Sequence, residues 1–221
     1  MKAIIFCLLL PLAVMAQDST RVTAPVRTPA TLKIAPLNLL NPIQLSVDLV
    51  GEFPFANRWA AELGVDWIVG SPSVARYESE RYQGIGLKPA IKRYFNRTAS
   101  QNTYIALVFK YKNIYHDRFN NVIRQGGQYS EWLLLRKHRV TWGAAFRIGG
   151  QSYLGKQKRV VFETSMAFGI RQINVSKYNL PDDAGSIEGR RIFNFDRPPG
   201  IYTTADLMFG MAIGWVLNRR N

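Results

Sequence analysis

Leu207-Met208-Phe209-Gly210-Met211-Ala212-Ile213-Gly214-Trp215-Val216-Leu217 is the stretch whose reading decides the fold. Leu207, Phe209, Met211, Ile213, Trp215 and Leu217 fall on one face of an extended chain. Asp206, Met208, Gly210, Ala212, Gly214 and Val216 fall on the other. Period two marks a strand, because successive side chains leave opposite faces. A half-buried strand of a soluble sandwich pairs its apolar face with a polar one. Here the second face is mostly small. Small residues suit the crowded inside of a narrow closed sheet, with the large apolar face turned outward.

The same alternation recurs upstream. In 159–171, Val160, Phe162, Met166, Phe168 and Ile170 oppose Glu163, Ser165, Ala167, Gly169 and Arg171. In 140–148, Val140, Trp142, Ala144, Phe146 and Ile148 oppose Thr141, Gly143, Ala145 and Arg147. In 102–115, Ile105, Leu107, Phe109 and Tyr111 oppose Ala106, Val108, Lys110 and Lys112. Segments 43–53, 59–69 and 84–95 repeat the pattern, with Pro89 weakening the last. A fainter segment, about 32–40, comes first. Eight segments are therefore expected. Their connections alternate in length: Asn41-Pro42 is a tight link, 54–58 and 96–101 are short, 149–158 is moderate, and 70–83, 116–139 and 172–201 are long, with Trp132-Leu133-Leu134-Leu135 in the second half of 116–139 also able to extend a strand. No stretch of eighteen consecutive apolar residues is present to form a spanning helix. A closed barrel is the other way for a backbone to cross lipid with its polar groups satisfied. The fold expected is all-β: an eight-stranded antiparallel up-and-down transmembrane β-barrel with short periplasmic turns and long extracellular loops. Aromatic residues gather at both ends, as two interfacial belts would require. Phe53, Phe55, Trp59, Phe95, Tyr104, Phe162 and Trp215 lie near the short turns. Trp67, Tyr111, Tyr115 and Trp142 lie near the long loops.

Composition sets the remaining bounds. The chain has 221 residues, 29 Lys+Arg against 15 Asp+Glu, and a formal charge of +14. One cysteine excludes a disulfide framework or a multi-cysteine zinc module, and two histidines leave little for a histidine-rich metal site. Residues 1–16 read as a secretory signal peptide: Met1-Lys2, an apolar run, then Val14-Met15-Ala16 before polar Gln17. Losing them removes Lys2 and Cys7 and lowers the charge to +13. Export turns the basic excess away from nucleic acid, which is not an expected partner. Residues 17–31 read as a flexible N-terminal arm, and 32–221 as the barrel domain.

The segments from 32 to 217 resemble the small eight-stranded outer-membrane barrels of Gram-negative bacteria, of the OmpA/OmpX type. Within that group the chain is similar to a family of secreted barrels of unknown function. Leu37-Asn38-Leu39-Leu40-Asn41-Pro42 and Asn57-Arg58-Trp59-Ala60-Ala61-Glu62-Leu63-Gly64 carry the resemblance. It implies an outer-membrane location, with lipid and lipopolysaccharide around the barrel. The chain departs from the usual pattern at its C-terminus, where the last aromatic residue, Trp215, stands six residues from the end. That departure bears on recognition by the insertion machinery.

Two groups of charge stand out. Inward positions carry six acids (Asp48, Glu52, Glu62, Asp66, Glu163, Asp206) and six bases (Lys88, Lys92, Lys110, Lys112, Arg147, Arg171). Matched numbers suggest a salt-bridge network filling the lumen, since an unpaired buried charge costs several kcal/mol. The short-turn rim carries Arg58, Arg93, Arg97, Lys156, Lys158, Arg159, Arg219 and Arg220 with no acid, a periplasmic basic collar suited to anionic headgroups. No enzyme activity, catalytic residue, cofactor or metal is expected. His116-Asp117, Ser130 and His138 are the nearest thing to a nucleophilic set, and no His-x-Ser spacing supports it. The function expected is an integral outer-membrane protein with a structural or interaction role, with or without a periplasmic or outer-membrane protein partner. The alternatives are a lipid-modifying outer-membrane enzyme and a soluble lipocalin-like ligand-binding barrel in the periplasm.

Overall fold

The computed structural model describes residues 29–36, 45–70, 81–97, 101–178, 181, 184–188 and 199–217. The proposed signal peptide and most of the proposed arm lie outside these residues, as do Arg219 and Arg220. Among the described residues nine strands follow one another: β1 (Thr31–Ile34), β2 (Leu45–Ala56), β3 (Trp59–Gly70), β4 (Arg81–Arg97), β5 (Gln101–Arg124), β6 (Tyr129–Leu154), β7 (Val160–Tyr178), β8 (Ala184–Glu188) and β9 (Gly200–Val216). Eight of them form a closed, antiparallel, up-and-down ring. Each of β1 to β6 pairs with the next, β7 pairs with β9, and β9 returns to β1.

Closure rests on the short strand β1. Its four residues pair on both sides, Thr31 with Glu52 and Val216, and Ile34 with Leu49 and Ile213. Beyond it, the Leu217 amide donates to the Ala30 carbonyl at 2.8 Å. Closing the sheet leaves neither β2 nor β9 with a bare edge over that span.

Period two holds around the ring, and the faces divide by size and polarity. Outward residues are large and exposed: Trp67 is 70% accessible and Phe168 66%. Ala60, Ala106, Ala145 and Ala167 point inward and are buried. Small inward residues let the strands close tightly. A Cβ on Gly169 would lie 2.2 Å from the Ala144 carbonyl oxygen. Pro89 sits on the outward face, and β4 runs through it without a shift of register. The pairing to β5 passes from Leu87↔Tyr111 to Ala90↔Val108, so the ladder loses rungs where a proline has no N–H to give.

The structure corrects several expectations. The supposed loop 116–139 is mostly strand: β5 and β6 continue as a two-stranded ribbon to a tight turn at Gln125–Gly127, where Gln125, Gly126 and Gly127 have positive φ. Alternation continues there, with Phe119 and Leu134 exposed on one face and Val122 and Leu135 buried on the other. The region 172–201 contains β8, which pairs with the ribbon at Asn121–Arg124. Thr31, placed in the arm by the sequence, belongs to β1, and the 149–158 connection narrows to a turn at 155–159. Tyr104, expected in an aromatic belt, points inward and is fully buried. It shares its face of β5 with Ala106, Val108 and Lys110.

Candidate functional site

The inside of the ring is the most concentrated chemistry among the described residues. Alternation turns Lys33 of β1, Glu52 of β2, Glu62 of β3, Lys92 of β4 and Glu163 of β7 to one place. The Lys33 ammonium lies 2.6 Å from Glu52, 3.2 Å from Glu62 and 2.5 Å from Glu163. The Lys92 ammonium meets the same three carboxylates at 3.0, 2.5 and 3.0 Å. An ammonium carries three N–H donors, so each lysine has one for each acid. Arg147 of β6 adds a third cation, 2.6 Å from Glu62. Three acids thus face three bases, and the cluster is neutral.

Neutral donors complete it. The Tyr94 hydroxyl donates to Glu52 and the Tyr104 hydroxyl to Glu163. Gln151 Nε2 donates to Glu52 at 2.8 Å and to Glu163 at 2.9 Å. The two tyrosine rings meet edge to face, 5.7 Å apart, and Lys92 Nζ lies 4.3 Å from the Tyr104 ring centre. Taking ions out of water costs several kcal/mol each, so such a cluster is tolerable only when every charge is paired and hydrogen-bonded.

Two smaller groups lie elsewhere in the ring. Lys88 bridges Asp48 at 2.6 Å and Asp66 at 2.7 Å, and Lys112 reaches Asp66 at 3.3 Å. Lys110 pairs with Asp206, which also lies 3.5 Å from Arg171. Arg171 Nε donates to Thr204 at 3.2 Å. Apolar side chains also turn inward: Ile68, Ile114, Ile173 and Val175 are buried.

All twelve residues singled out as lumen charges lie on the inner face and within these three groups. The sequence reading missed the cation at the centre. Lys33 lies in the faint first segment, and β1 is only four residues long, so its alternation is too brief to read. With Lys33 these three groups hold seven bases and six acids rather than six of each. Tyr94, Tyr104 and Gln151 were also missed. Their parity with Lys92, Ala106 and Arg147 was the available signal.

Glu52, Glu62 and Glu163 offer oxygens within 4.8 Å of one another, close enough to hold a metal ion. Lys33 and Lys92 already supply the positive charge that such oxygens need, and each spans all three. A divalent ion would have to displace an ammonium, so the donor set suits the lysines better than a metal.

The basic collar is spread over one end of the ring. Arg58 is in the turn between β2 and β3, and Arg97 ends β4. Lys156, Lys158 and Arg159 belong to the turn between β6 and β7, where Lys158 has a φ of 50° and its amide donates to the Gly155 carbonyl at 3.0 Å. Arg93 sits on the outward face of β4 against Trp59 and Phe95.

The candidate nucleophilic set is not assembled. His116 packs edge-on against Tyr82, with ring centres 5.4 Å apart. Ser130 pairs with Ile123 far along the ribbon. His138 stacks flat on Tyr115 at 4.5 Å, and its Nε2 lies 2.6 Å from Asn113 Oδ1. Ser176 is the cross-strand partner of His138. The imidazole leans the other way, onto β5.

No family model, no curated protein and no solved structure matches this chain.

Proposed function

We propose that this chain is an integral outer-membrane β-barrel of the small eight-stranded kind, with a structural or interaction role and a lumen closed by salt bridges. The observation that carries the reading is the inversion of the two faces. Tryptophan, phenylalanine, leucine and isoleucine side chains stand exposed around the ring, while lysines, glutamates and aspartates are buried inside it. Water would favour the opposite arrangement. A lipid solvent favours this one, because the outward groups meet hydrocarbon and the closed ladder satisfies the backbone. The outward row of β3 runs from Trp59 to Val69. At about 3.3 Å per residue and a tilt of roughly 40° it covers about 25 Å, the height of a lipid-facing band.

The same inversion weighs against a soluble lipocalin-like barrel, which needs an apolar interior and a polar exterior. The separated histidines and Ser130 weigh against a lipid-modifying enzyme. The paired interior supports a plug rather than a pore. Surrounding outer-membrane lipid and lipopolysaccharide are the partners this reading requires, and the ribbon of β5 and β6 is the feature best placed to touch another protein.

Fractionation with a heat-modifiable gel shift tests the membrane reading. The protein is expected in the outer-membrane pellet, with unboiled and boiled samples running apart; recovery in the soluble fraction would overturn it. In planar bilayers the purified protein is expected to show no stable large conductance. Steady porin-like currents would reject the plug.

A further inference from the structure

Arg93 is the exposed cation whose surroundings are most specific. Alternation along β4 sends its neighbours Lys92 and Tyr94 into the ring and Arg93 outward. Its guanidinium carbon lies 5.5 Å from the ring centre of Trp59, its direct cross-strand partner, and 5.9 Å from that of Phe95. Both rings are themselves exposed. Arg58 directly precedes Trp59 in the two-residue turn from β2 to β3. The Arg58 carbonyl accepts the Tyr94 amide hydrogen at 2.8 Å, which ties that turn to β4 beside Arg93.

Inside the ring, Lys33, Lys88, Lys92, Lys110, Lys112, Arg147 and Arg171 each have a carboxylate within ion-pair distance. Arg58 and Arg93 have none among the described residues. A guanidinium keeps its charge in any such setting. Contact with aromatic rings does not consume its N–H donors, so its fork is open to a bidentate acceptor. On a lipid-facing surface near an interface, that acceptor is a phosphate. Ala61 lies on the same outward row, between Trp59 and Leu63 and opposite Phe53 and Ile91. The apolar surface of Ala61 and its large neighbours, one position along the row from Trp59 and Arg93, offers packing for an acyl chain.

We infer that Arg93, seconded by Arg58 and framed by Trp59 and Phe95, binds the phosphate of a glycerophospholipid headgroup at the short-turn rim. This rests on the membrane-spanning reading above. Headgroup and chain are engaged together: the arginines take the phosphate and the apolar surface around Ala61 takes the hydrocarbon. A free phosphate uses only the first half.

Native mass spectrometry of the full chain in detergent, titrated with phosphatidylglycerol, tests the site. Wild type is expected to retain the lipid, and diacylglycerol lacking the phosphate is expected not to bind. A charge-assisted hydrogen bond is worth about 1.5–3 kcal/mol, so Arg93→Gln should weaken retention at least roughly tenfold. Arg93→Lys, which keeps the charge but loses the fork, should fall between. Arg81→Gln, at the opposite end of β4, should bind as wild type does. Equal retention by wild type and Arg93→Gln would overturn the site, and so would displacement of the lipid by an equal concentration of inorganic phosphate. Heat-modifiable mobility in the same preparations reports the barrel separately. Its absence in wild type rejects the membrane reading. Its presence in Arg93→Gln with unchanged lipid affinity rejects the site alone.

Discussion

Replacing Lys33 with methionine tests the interior network at its centre. The ammonium meets Glu52 at 2.6 Å, Glu62 at 3.2 Å and Glu163 at 2.5 Å, and side chains on both sides of these contacts are almost wholly buried. Methionine is of similar length and removes only the charge and its donors. Three carboxylates would then face two cations, Lys92 and Arg147, and one negative charge would remain uncompensated within this cluster. Breaking a buried pair by deleting one partner costs about 3–5 kcal/mol, because the survivor stays buried. Three acids share this lysine, which places the expected loss toward the upper end. Denaturant unfolding in detergent, followed by tryptophan fluorescence and gel mobility, should show the midpoint falling without a change of slope. Neutralising Glu163 in the same chain supplies the control. Lys33→Met with Glu163→Gln restores charge balance and should recover a substantial part of the loss, since neighbouring substitutions couple. If Lys33→Met unfolds at the wild-type midpoint, or if Glu163→Gln fails to rescue it, the network does not hold the ring as described.

Other expectations follow from the same geometry. Gly169→Ala would drive a Cβ to 2.2 Å from the Ala144 carbonyl oxygen and 2.6 Å from the Ala145 Cβ, so β6 and β7 must separate; a loss of about 1–3 kcal/mol is expected in the same unfolding assay. The Asp117 carboxyl, on the ribbon beyond the apolar band, is held below its ordinary range chiefly by hydrogen bonds from the Arg136 guanidinium, at 2.8 and 3.1 Å. A lowered folded pKa means this support is present above the ordinary carboxylate pKa of about 4 and lost as pH falls through the lowered value. Hydrogen exchange over 113–140, corrected for intrinsic rates, should therefore loosen only in acid, and Asp117→Asn should remove that pH dependence. His116→Ala and Ser130→Ala should leave the lipid A mass profile unchanged, since the two side chains lie on separate parts of the β5–β6 ribbon; a changed profile in either would revive the enzyme alternative.

Much of this architecture was legible in the chain because alternation is a local property. Seven of the eight ring strands, the outward rows of large residues and the inward acids Asp48, Glu52, Glu62, Asp66, Glu163 and Asp206 all follow from period two within one strand. Reading failed where the pattern was too short, at β1, or where polar residues continued a strand that resembled a loop, at 116–139. Tyr104 shows a third kind of failure. An aromatic near a strand end fits a lipid-facing belt and an interior hydroxyl donor equally well until the parity of its neighbours is applied.

What the sequence by itself determined is which face each side chain takes along a strand, since successive residues of an extended backbone must point opposite ways. What only the tertiary structure decided is which side chains meet. Lys33 and Glu163 are 130 positions apart. They touch because β1 is threaded between β2 and β9 in one register, and a slip of a single residue would turn Lys33 outward. Register and ring closure depend on ladders between distant segments, and no local pattern encodes them. The same holds on the outer surface, where Arg93 stands against Trp59 only because β3 and β4 pair as they do.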